Sequence, residues 1–410
     1  MKFQMSIAKV RNLLFFFIIL ISLNACSQDQ YRFSHLSDSL NKIKTGAERM
    51  EEYLPLLENK NVGIVCNQTA QVRNIHLVDT LTSRGVMIKT IFAPEHGFRG
   101  EAGAGEKISS GIDPITGISV VSLYGNKKAP DDKDLQNLDI LVFDIQDVGT
   151  RFYTFISTLQ LVMEACAKNN KEIIVLDRPN PNGFYIDGPV LNKKFKSFVG
   201  MQSIPIVYGM TIAEYALMLN GENLLESKQP CSLKVITCSN YSHTDRYHLP
   251  VAPSPNLPNM ASVYLYPSLC FFEGTNVSLG RGTDLPFQVF GFPGFELGSY
   301  QFTPKSIEGK AKNPPHEGKI CNGVNLQEFG STYMKEYGGI YLPWLIESYK
   351  YYPDKEKFFN SFFDKLSGNY ELKEQIKSGK TEAEIKASWR DGIDAFKLVR
   401  KKYLLYEDFE

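Results

Sequence analysis

The chain has 410 residues, with 45 lysines and arginines against 45 aspartates and glutamates. Hydrophobic residues make up 43% and charged residues 22%, which are ordinary globular values and exclude wholesale disorder, collagen and coiled coil. Residues 1–25 carry three basic side chains and no acid, so the rest of the chain has 42 basic and 45 acidic side chains, a net charge of −3. A weakly acidic chain gives no electrostatic footprint for nucleic acid, and we expect no such partner.

The first 26 residues are typical of a bacterial lipoprotein signal. Basic residues precede the apolar run from Leu13 to Ile21, which is too short to span a bilayer but fits a secretory signal. The run Leu23 to Cys26 resembles the lipobox, in which the signal is cleaved before the cysteine and the thiol is lipidated. Residues 26–48 then form a tether. We expect a chain that is exported and lipid-anchored to a bacterial membrane through Cys26, on the periplasmic side or the cell surface, and that touches the membrane only there. A plain signal peptide with a chance cysteine is the alternative.

Beyond this signal, the sequence alternates strand-like and helix-like segments in chain order. We predict strands at 61–66, 86–92, 119–123, 138–145 and 172–176, with helices at 75–84, 154–169 and 211–219. The last helix begins at Thr211 with Glu214 as a capping box. Such alternation predicts an α/β domain over 49–225 with a parallel sheet covered on both faces. After residue 225 the chain becomes rich in proline, glycine and aromatics and then helical, which predicts a smaller α+β domain over 226–410 that closes a cleft. Helices are expected there at 371–377 and 381–396, the latter capped by Thr381 with Glu384.

The six cysteines that follow Cys26 permit disulfides in an exported protein. Cys66 and Cys166 lie in apolar segments, where a free cysteine behaves as a small hydrophobe. Cys231 and Cys238 are the only pair close in sequence, and a bridge between them is the less favoured alternative. No CxxC spacing occurs, so no metal site is expected.

Polar residues follow three of the predicted strands, at the edge where ligands bind in open α/β sheets. These candidate residues are Glu95, His96 and Arg99 after the second strand, Asp144, Gln146, Asp147, Arg151 and Tyr153 after the fourth, and Asp177, Arg178 and Asn180 after the fifth. Polar residues at one strand end usually only begin a loop. Three such ends together, with glycine and proline fixing the backbone, predict a site.

Two glycine-rich segments accompany these strand ends. The stretch Gly100 to Gly105 lacks the third glycine and the lysine of phosphate-binding loops, so we interpret it as a flexible lid. Segment 273–284 offers Glu273, Asn276, Arg281 and Asp284 from the second domain, unless it is a structural turn held by an Arg281–Asp284 pair. No metalloprotease or nucleophile-elbow motif occurs. Carboxylates, arginines and aromatic faces without a cofactor motif favour glycoside hydrolysis.

The segments 93–100, 143–154, 177–183 and 273–283 together resemble the NamZ-type exo-β-N-acetylmuramidases, glycoside hydrolase family 171, formerly a domain of unknown function. The resemblance implies a Rossmann-like N-terminal domain, a smaller C-terminal domain, a cleft between them and no cofactor. It also implies the activity, which is release of N-acetylmuramic acid from the non-reducing end of peptide-free peptidoglycan fragments in cell wall turnover or recycling. The partners would be peptidoglycan-derived disaccharides and glycan chains. A non-catalytic sugar-binding lipoprotein is the alternative.

The chemistry of these residues suggests their roles. Glu95 is predicted to be the general acid, tuned or oriented by His96. The second catalytic group stays open between Asp147, Glu273 and the 2-acetamido group of the substrate itself. Arg151, Arg178 or Arg281 is expected to hold the lactyl carboxylate that distinguishes muramic acid from glucosamine, and Tyr153 to stack on the sugar or bond to it. The other residues of this candidate set are predicted to bind substrate.

Overall fold

The computed structural model describes residues 42–95, 97–100 and 110–410. The signal segment, Cys26, most of the tether, His96 and residues 101–105 of the predicted lid lie outside these ranges. Within them, no helix is long and apolar enough to cross a membrane.

The strands of the described chain form one large sheet, a small three-stranded sheet and a hairpin. They are β1 (Val62–Cys66), β2 (Gln71–Val72), β3 (Ile75–His76), β4 (Ile88–Ala93), β5 (Gly111–Ile112), β6 (Ser119–Ser122), β7 (Ile140–Asp144), β8 (Glu172–Leu176), β9 (Ser232–Ile236), β10 (Val289–Phe292), β11 (Tyr300–Phe302) and β12 (Cys321–Asn325).

The large sheet has the order β5-β6-β4-β1-β7-β8-β9, and only β5 runs antiparallel to its neighbour. From β1 the chain moves outward through β4 to β6, returns to the other side of β1 at β7, and continues outward to β9. In the centre of the sheet Ile64 is in register with Ile91 on one side and Val142 on the other. Such a reversal of strand order beside β1 defines a doubly wound, Rossmann-like sheet. The predicted α/β class is thereby confirmed.

The α-helices are α1 (Met50–Leu57), α2 (Leu77–Ser83), α3 (Asp132–Leu135), α4 (Phe155–Lys168), α5 (Ile212–Gly221), α6 (Met260–Leu269), α7 (Gln327–Phe329), α8 (Lys335–Tyr337), α9 (Pro343–Tyr351), α10 (Phe363–Ser367), α11 (Glu371–Lys377), α12 (Glu382–Ala387) and α13 (Arg390–Arg400). A π-helical turn (Gly330–Met334) joins α7 to α8. Short 3₁₀ turns occupy Gly46–Glu48, Lys193–Phe195, Cys270–Gly274 and Lys355–Lys357.

Burial explains why the central strands were visible in the sequence. Every residue of β1 and of β7 is buried, because helices cover both faces of a parallel sheet and leave no polar side. Helix α4 packs Leu159, Val162 and Met163 into the core on one face. The capping box of Thr211 and Glu214 begins α5 as predicted.

The second half of the chain contributes the sheet β10-β12-β11 and a set of helices. Helix α11 has its predicted bounds, and α12 begins with the predicted box of Thr381 and Glu384. Strand β9 comes after residue 225 and pairs with β8, so the parallel sheet draws its last strand from beyond that point. All six described cysteines are free and buried, including Cys231 and Cys238.

Candidate active site

A pocket of about 560 Å³ lies beside the carboxyl ends of β4 and β6, where the N-terminus of α4 meets segments from the second half of the chain. Its polar wall includes Glu95, Lys128, Tyr153, Thr154, Glu273 and Arg281. Four residues of the predicted site, from sequence positions 95 to 281, therefore lie around one cavity. The strand-end rule places a ligand at this edge of the sheet.

Glu95 lies two residues past the end of β4 and is half-buried. Thr154, which precedes the first turn of α4, donates from its hydroxyl to Glu95 Oε2 at 3.3 Å. A helix N-terminus favours negative charge nearby, so α4 helps to hold this carboxylate at the pocket wall.

The turn that leads into α4 is fixed by close backbone packing. Gly149 has a positive φ of 75°, and a Cβ there would lie 2.2 Å from Asn180 Oδ1. This turn presents Tyr153, whose hydroxyl donates to the carbonyl of Pro253 at 2.8 Å. The rings of Phe155 and Tyr266 pack edge-on against Tyr153. Burial raises the pKa of Tyr153, so the phenol stays neutral.

Glu273 and Arg281 form an ion pair that also lines the pocket. Arg281 Nε donates to Glu273 Oε1 at 2.9 Å, and Nη2 donates to the same oxygen. Burial alone would lower the pKa of Arg281, but the charge and the hydrogen bonds of Glu273, with smaller effects of Tyr266 and Cys270, together outweigh burial and raise the pKa. Asp284 is exposed and does not take part in this pair. The alternative Arg281–Asp284 turn is therefore replaced by a pair that faces the pocket.

Asp147 lies behind the pocket wall rather than on it. Its Oδ2 accepts from Gly149 N at 2.7 Å and from the Tyr208 hydroxyl, while Oδ1 is buried without a partner in the described structure. Burial raises the pKa of Asp147 to about 7. These bonds to Gly149 and Tyr208 give Asp147 a role in holding its own turn.

Three of the predicted arginines bond to other protein groups away from the pocket. Arg151 is 0% exposed and donates to the carbonyls of Pro189, Ile204, Leu366 and Ser367. Arg178 forms a buried pair with Asp144, with 2.5 Å between Nε and Oδ1. Arg99 bonds to Asp79 and Asp113. None of the three lines the cavity.

The remaining predicted residues also support the fold around the site. Gln146 donates to the carbonyls of Asp147 and Pro179, and Asn180 donates to the carbonyl of Met210. Asp177 accepts from the Tyr406 hydroxyl, and burial raises its pKa to about 7. Asn276 donates to the carbonyl of Lys357 and is exposed.

Sequence reasoning missed the segment that follows β6. Tyr124, Gly125 and Lys128 line the pocket, and Lys128 Nζ lies 4.3 Å from the ring centre of Phe198. The rule that ligands bind at the carboxyl ends of parallel strands applies equally to β6, because β6 runs parallel to β4 and ends at the same edge of the sheet.

A second, more open cavity of about 620 Å³ lies on the outer face of α4. Its acids Asp131 and Asp132 are paired with Lys127 and Lys168. None of the residues of the predicted site lines this cavity.

A doubly wound α/β fold with two carboxylates, a paired arginine and aromatic walls around one cavity defines a protein equipped for carbohydrate chemistry. The chain belongs to the exo-β-N-acetylmuramidase NamZ family, because the N-terminal family model matches residues 62–261 and the C-terminal model residues 264–406. It is 36% identical over 386 residues to the peptidoglycan β-N-acetylmuramidase NamZ of Bacillus subtilis strain 168, a match that covers 89% of this chain and 92% of that protein.

Two solved structures share the fold. A DUF1343 family protein of Bacteroides fragilis NCTC 9343 is 47% identical, with a TM-score of 0.83, over 90% of this chain and 99% of that one. A second DUF1343 family protein of the same organism is 32% identical, with a TM-score of 0.75, over 89% and 99% of the two chains.

Proposed function

We propose that this chain is an exo-acting glycosidase that releases N-acetylmuramic acid from the non-reducing end of peptide-free peptidoglycan fragments. Family membership supports the reaction class, and the B. subtilis relative acts on peptidoglycan according to its name. The observation that carries the proposal is that Glu95 and Glu273 line one cavity. A volume of about 560 Å³ lies within the usual range for small-molecule sites.

Glu95 is the proposed general acid, which gives its proton to the oxygen of the leaving sugar. Its neighbour His96 is proposed to orient it. Glu273 is the proposed second carboxylate, because it faces the pocket whereas Asp147 does not. Arg281 holds Glu273 in place through Nε and Nη2. Tyr153 and Tyr266 supply aromatic faces, which sugars stack against.

The two halves of the chain contribute to the cavity in different ways. Glu95 and Tyr153 come from residues 49–225, and Glu273 and Arg281 from residues 226–410. We propose that these two regions are the two domains whose contact forms the site. The substrate would be enclosed between them.

The test of the activity compares two substrates that differ only in the lactyl ether. The chain without its signal is incubated with para-nitrophenyl N-acetyl-β-muramide and with the matching glucosaminide, and nitrophenol release is followed. We expect release from the muramide alone. No release from either, together with calorimetric binding of N-acetylmuramic acid, would contradict the proposal in favour of a sugar-binding lipoprotein.

We further propose that the protein is exported and held on a bacterial membrane by a lipid on Cys26. The basic residues, the short apolar run and the Leu23–Cys26 lipobox support this. Replacing Cys26 by Ser should release the protein from the membrane fraction of expressing cells and abolish labelling with radioactive palmitate. Membrane association and labelling that persist in Cys26→Ser would reject the anchor.

A further inference from the structure

Muramic acid differs from glucosamine by a lactyl ether that carries a carboxylate, and a cation in the pocket would recognise this group through a charge-assisted hydrogen bond. The three arginines that were candidates for this role already have partners in the protein. Arg151 bonds to four backbone carbonyls, and Arg178 is buried against Asp144. Arg281 lines the pocket, but Glu273 already balances its charge. A further anion at Arg281 would compete with Glu273.

Lys128 is the cation of the pocket wall that is paired with no carboxylate of the described residues. Its ammonium lies over the ring of Phe198, 4.3 Å from the centroid. An aromatic face attracts a cation without supplying an anion, so the ring positions the charge without neutralising it. The neighbouring Lys127 differs, because it pairs with Asp131 and Asp134.

Position also favours Lys128. It lies in the segment after β6, next along the same sheet edge from Glu95 after β4. A sugar that is bound with its glycosidic oxygen at Glu95 would therefore also lie near the positive charge of Lys128. Tyr124, which precedes Lys128 in the same segment, lines the same pocket.

We propose that Lys128 binds the lactyl carboxylate of N-acetylmuramic acid and is the residue that makes the pocket selective for the free acid. This inference rests on the proposed function and assigns its specificity. In peptide-bearing muramic acid the carboxylate is converted to an amide and has no charge, so the ammonium would lose its charge-assisted hydrogen bond. Lys128 would therefore distinguish both glucosamine and peptide-substituted muramic acid from the substrate.

The experiment compares Lys128→Met with the unaltered protein on para-nitrophenyl N-acetyl-β-muramide and on the same compound with its lactyl carboxylate amidated. Methionine keeps an unbranched apolar stem and removes the charge. We expect kcat/KM on the free acid to fall by about ten- to a hundredfold, the range of one hydrogen bond to a charged group. Most of the fall should appear in KM. On the amide the variant should match the unaltered protein.

Three control variants separate this role from structural effects. Lys127→Met removes a neighbouring charge outside the pocket and should leave both substrates unchanged. Lys128→Arg keeps the charge and should retain most of the preference for the acid. Arg281→Met should slow both substrates by a similar factor, because it releases Glu273 without changing which cation binds the carboxylate.

A Lys128→Met variant that keeps the original ratio of free acid to amide would overturn the inference. Calorimetric binding of N-acetylmuramic acid and of its amide to the same variants repeats the comparison without turnover. If the unaltered protein released nothing from the muramide, the proposed activity would fail. The binding ratio would still decide the role of Lys128.

Discussion

Glu95 is the pocket carboxylate that accepts a hydrogen bond at the N-terminus of α4. In Glu95→Gln the amide oxygen still accepts from Thr154, but the side chain has no proton to give. We expect kcat on a muramic acid–glucosamine disaccharide to fall by about 10²- to 10⁴-fold, the usual contribution of a general acid. On the nitrophenyl muramide the loss should be smaller, because nitrophenolate leaves without protonation. Steady-state kinetics on both substrates give the comparison.

Glu308→Gln serves as the control for this variant, because Glu308 is exposed and does not line the pocket. It should match the unaltered protein on both substrates. Circular dichroism would verify that Glu95→Gln is folded. A Glu95→Gln variant with nearly full activity on the disaccharide would exclude Glu95 as the acid.

Single residues were the hardest part of the site to predict. The sequence shows which strand ends carry polar residues, but not which of those residues find partners far along the chain. Arg178 meets Asp144 across 34 positions, and Asp177 meets Tyr406 across 229. Side chains that look like substrate ligands in the sequence are held in these pairs and stabilise the fold. Lys128 was missed although the strand before it was predicted at 119–123, because one lysine among the polar residues of a loop gives no local sign that it lines a pocket.

At the scale of elements, two helices begin with the same Thr-x-x-Glu capping box in different surroundings. Thr211 of α5 is 1% exposed, and its hydroxyl also bonds to the Asp177 carboxylate. Thr381 of α12 is exposed, and among the described residues its hydroxyl bonds to Glu384 of its own box. Loss of an N-cap costs about 0.5–2 kcal/mol. We expect Thr211→Ala to lie at the upper end of this range and Thr381→Ala at the lower end.

Urea unfolding of both variants measures these free energies, with Thr211→Ser as the variant that keeps the cap. Thr211→Ser should recover most of the loss. Equal losses for Thr211→Ala and Thr381→Ala would show that the buried bond to Asp177 adds nothing to stability.

The elements themselves were largely predictable because their signals are local. An unbroken apolar run such as β7 predicts a strand that is buried on both faces of the sheet. A capping box predicts the residue at which a helix begins. Strand β9 was missed because its burial is uneven, as expected for a strand at the edge of the sheet. The three-stranded sheet β10-β12-β11 was missed because its strands are short and rich in glycine and aromatics.

At the scale of the whole molecule, the last ten residues bond to two buried acids, Glu214 in helix α5 and Asp177 just after β8. Leu405 N donates to Glu214 Oε1 at 2.8 Å, and the Tyr406 hydroxyl donates to Asp177. Glu214 also bonds to His243 at 3.0 Å, and both side chains are buried. The end of the chain thereby packs against helix α5 and the segment after β8, so this part of the fold depends on contacts between residues far apart in sequence.

Two buried acids make the stability of the fold depend on pH, and we expect the free energy of unfolding to fall as the pH rises. Burial raises the pKa of Asp177, and likewise of Asp147, from 3.8 to about 7. Between about pH 4 and pH 7 the folded chain therefore holds protons that the unfolded chain has released. Their contribution to stability is full below about pH 4 and is lost as the pH rises through 7. Burial would raise the pKa of Asp113, but the hydrogen bonds from Arg99 and Thr116 outweigh burial and lower the pKa to about 2. Asp113 therefore titrates below the pH range in which Asp177 and Asp147 do.

Asp177→Asn should remove one of the two titrations, because asparagine resembles the protonated acid and cannot ionise. The melting temperature of the variant should fall less than that of the unaltered protein as the pH is raised from 5 to 8. The double variant Asp147→Asn/Asp177→Asn should show the smallest change. Circular dichroism melts across this range provide the measurement. An Asp177→Asn variant with the original slope would mean that the Tyr406 and Ala213 donors, rather than burial, set the protonation of Asp177.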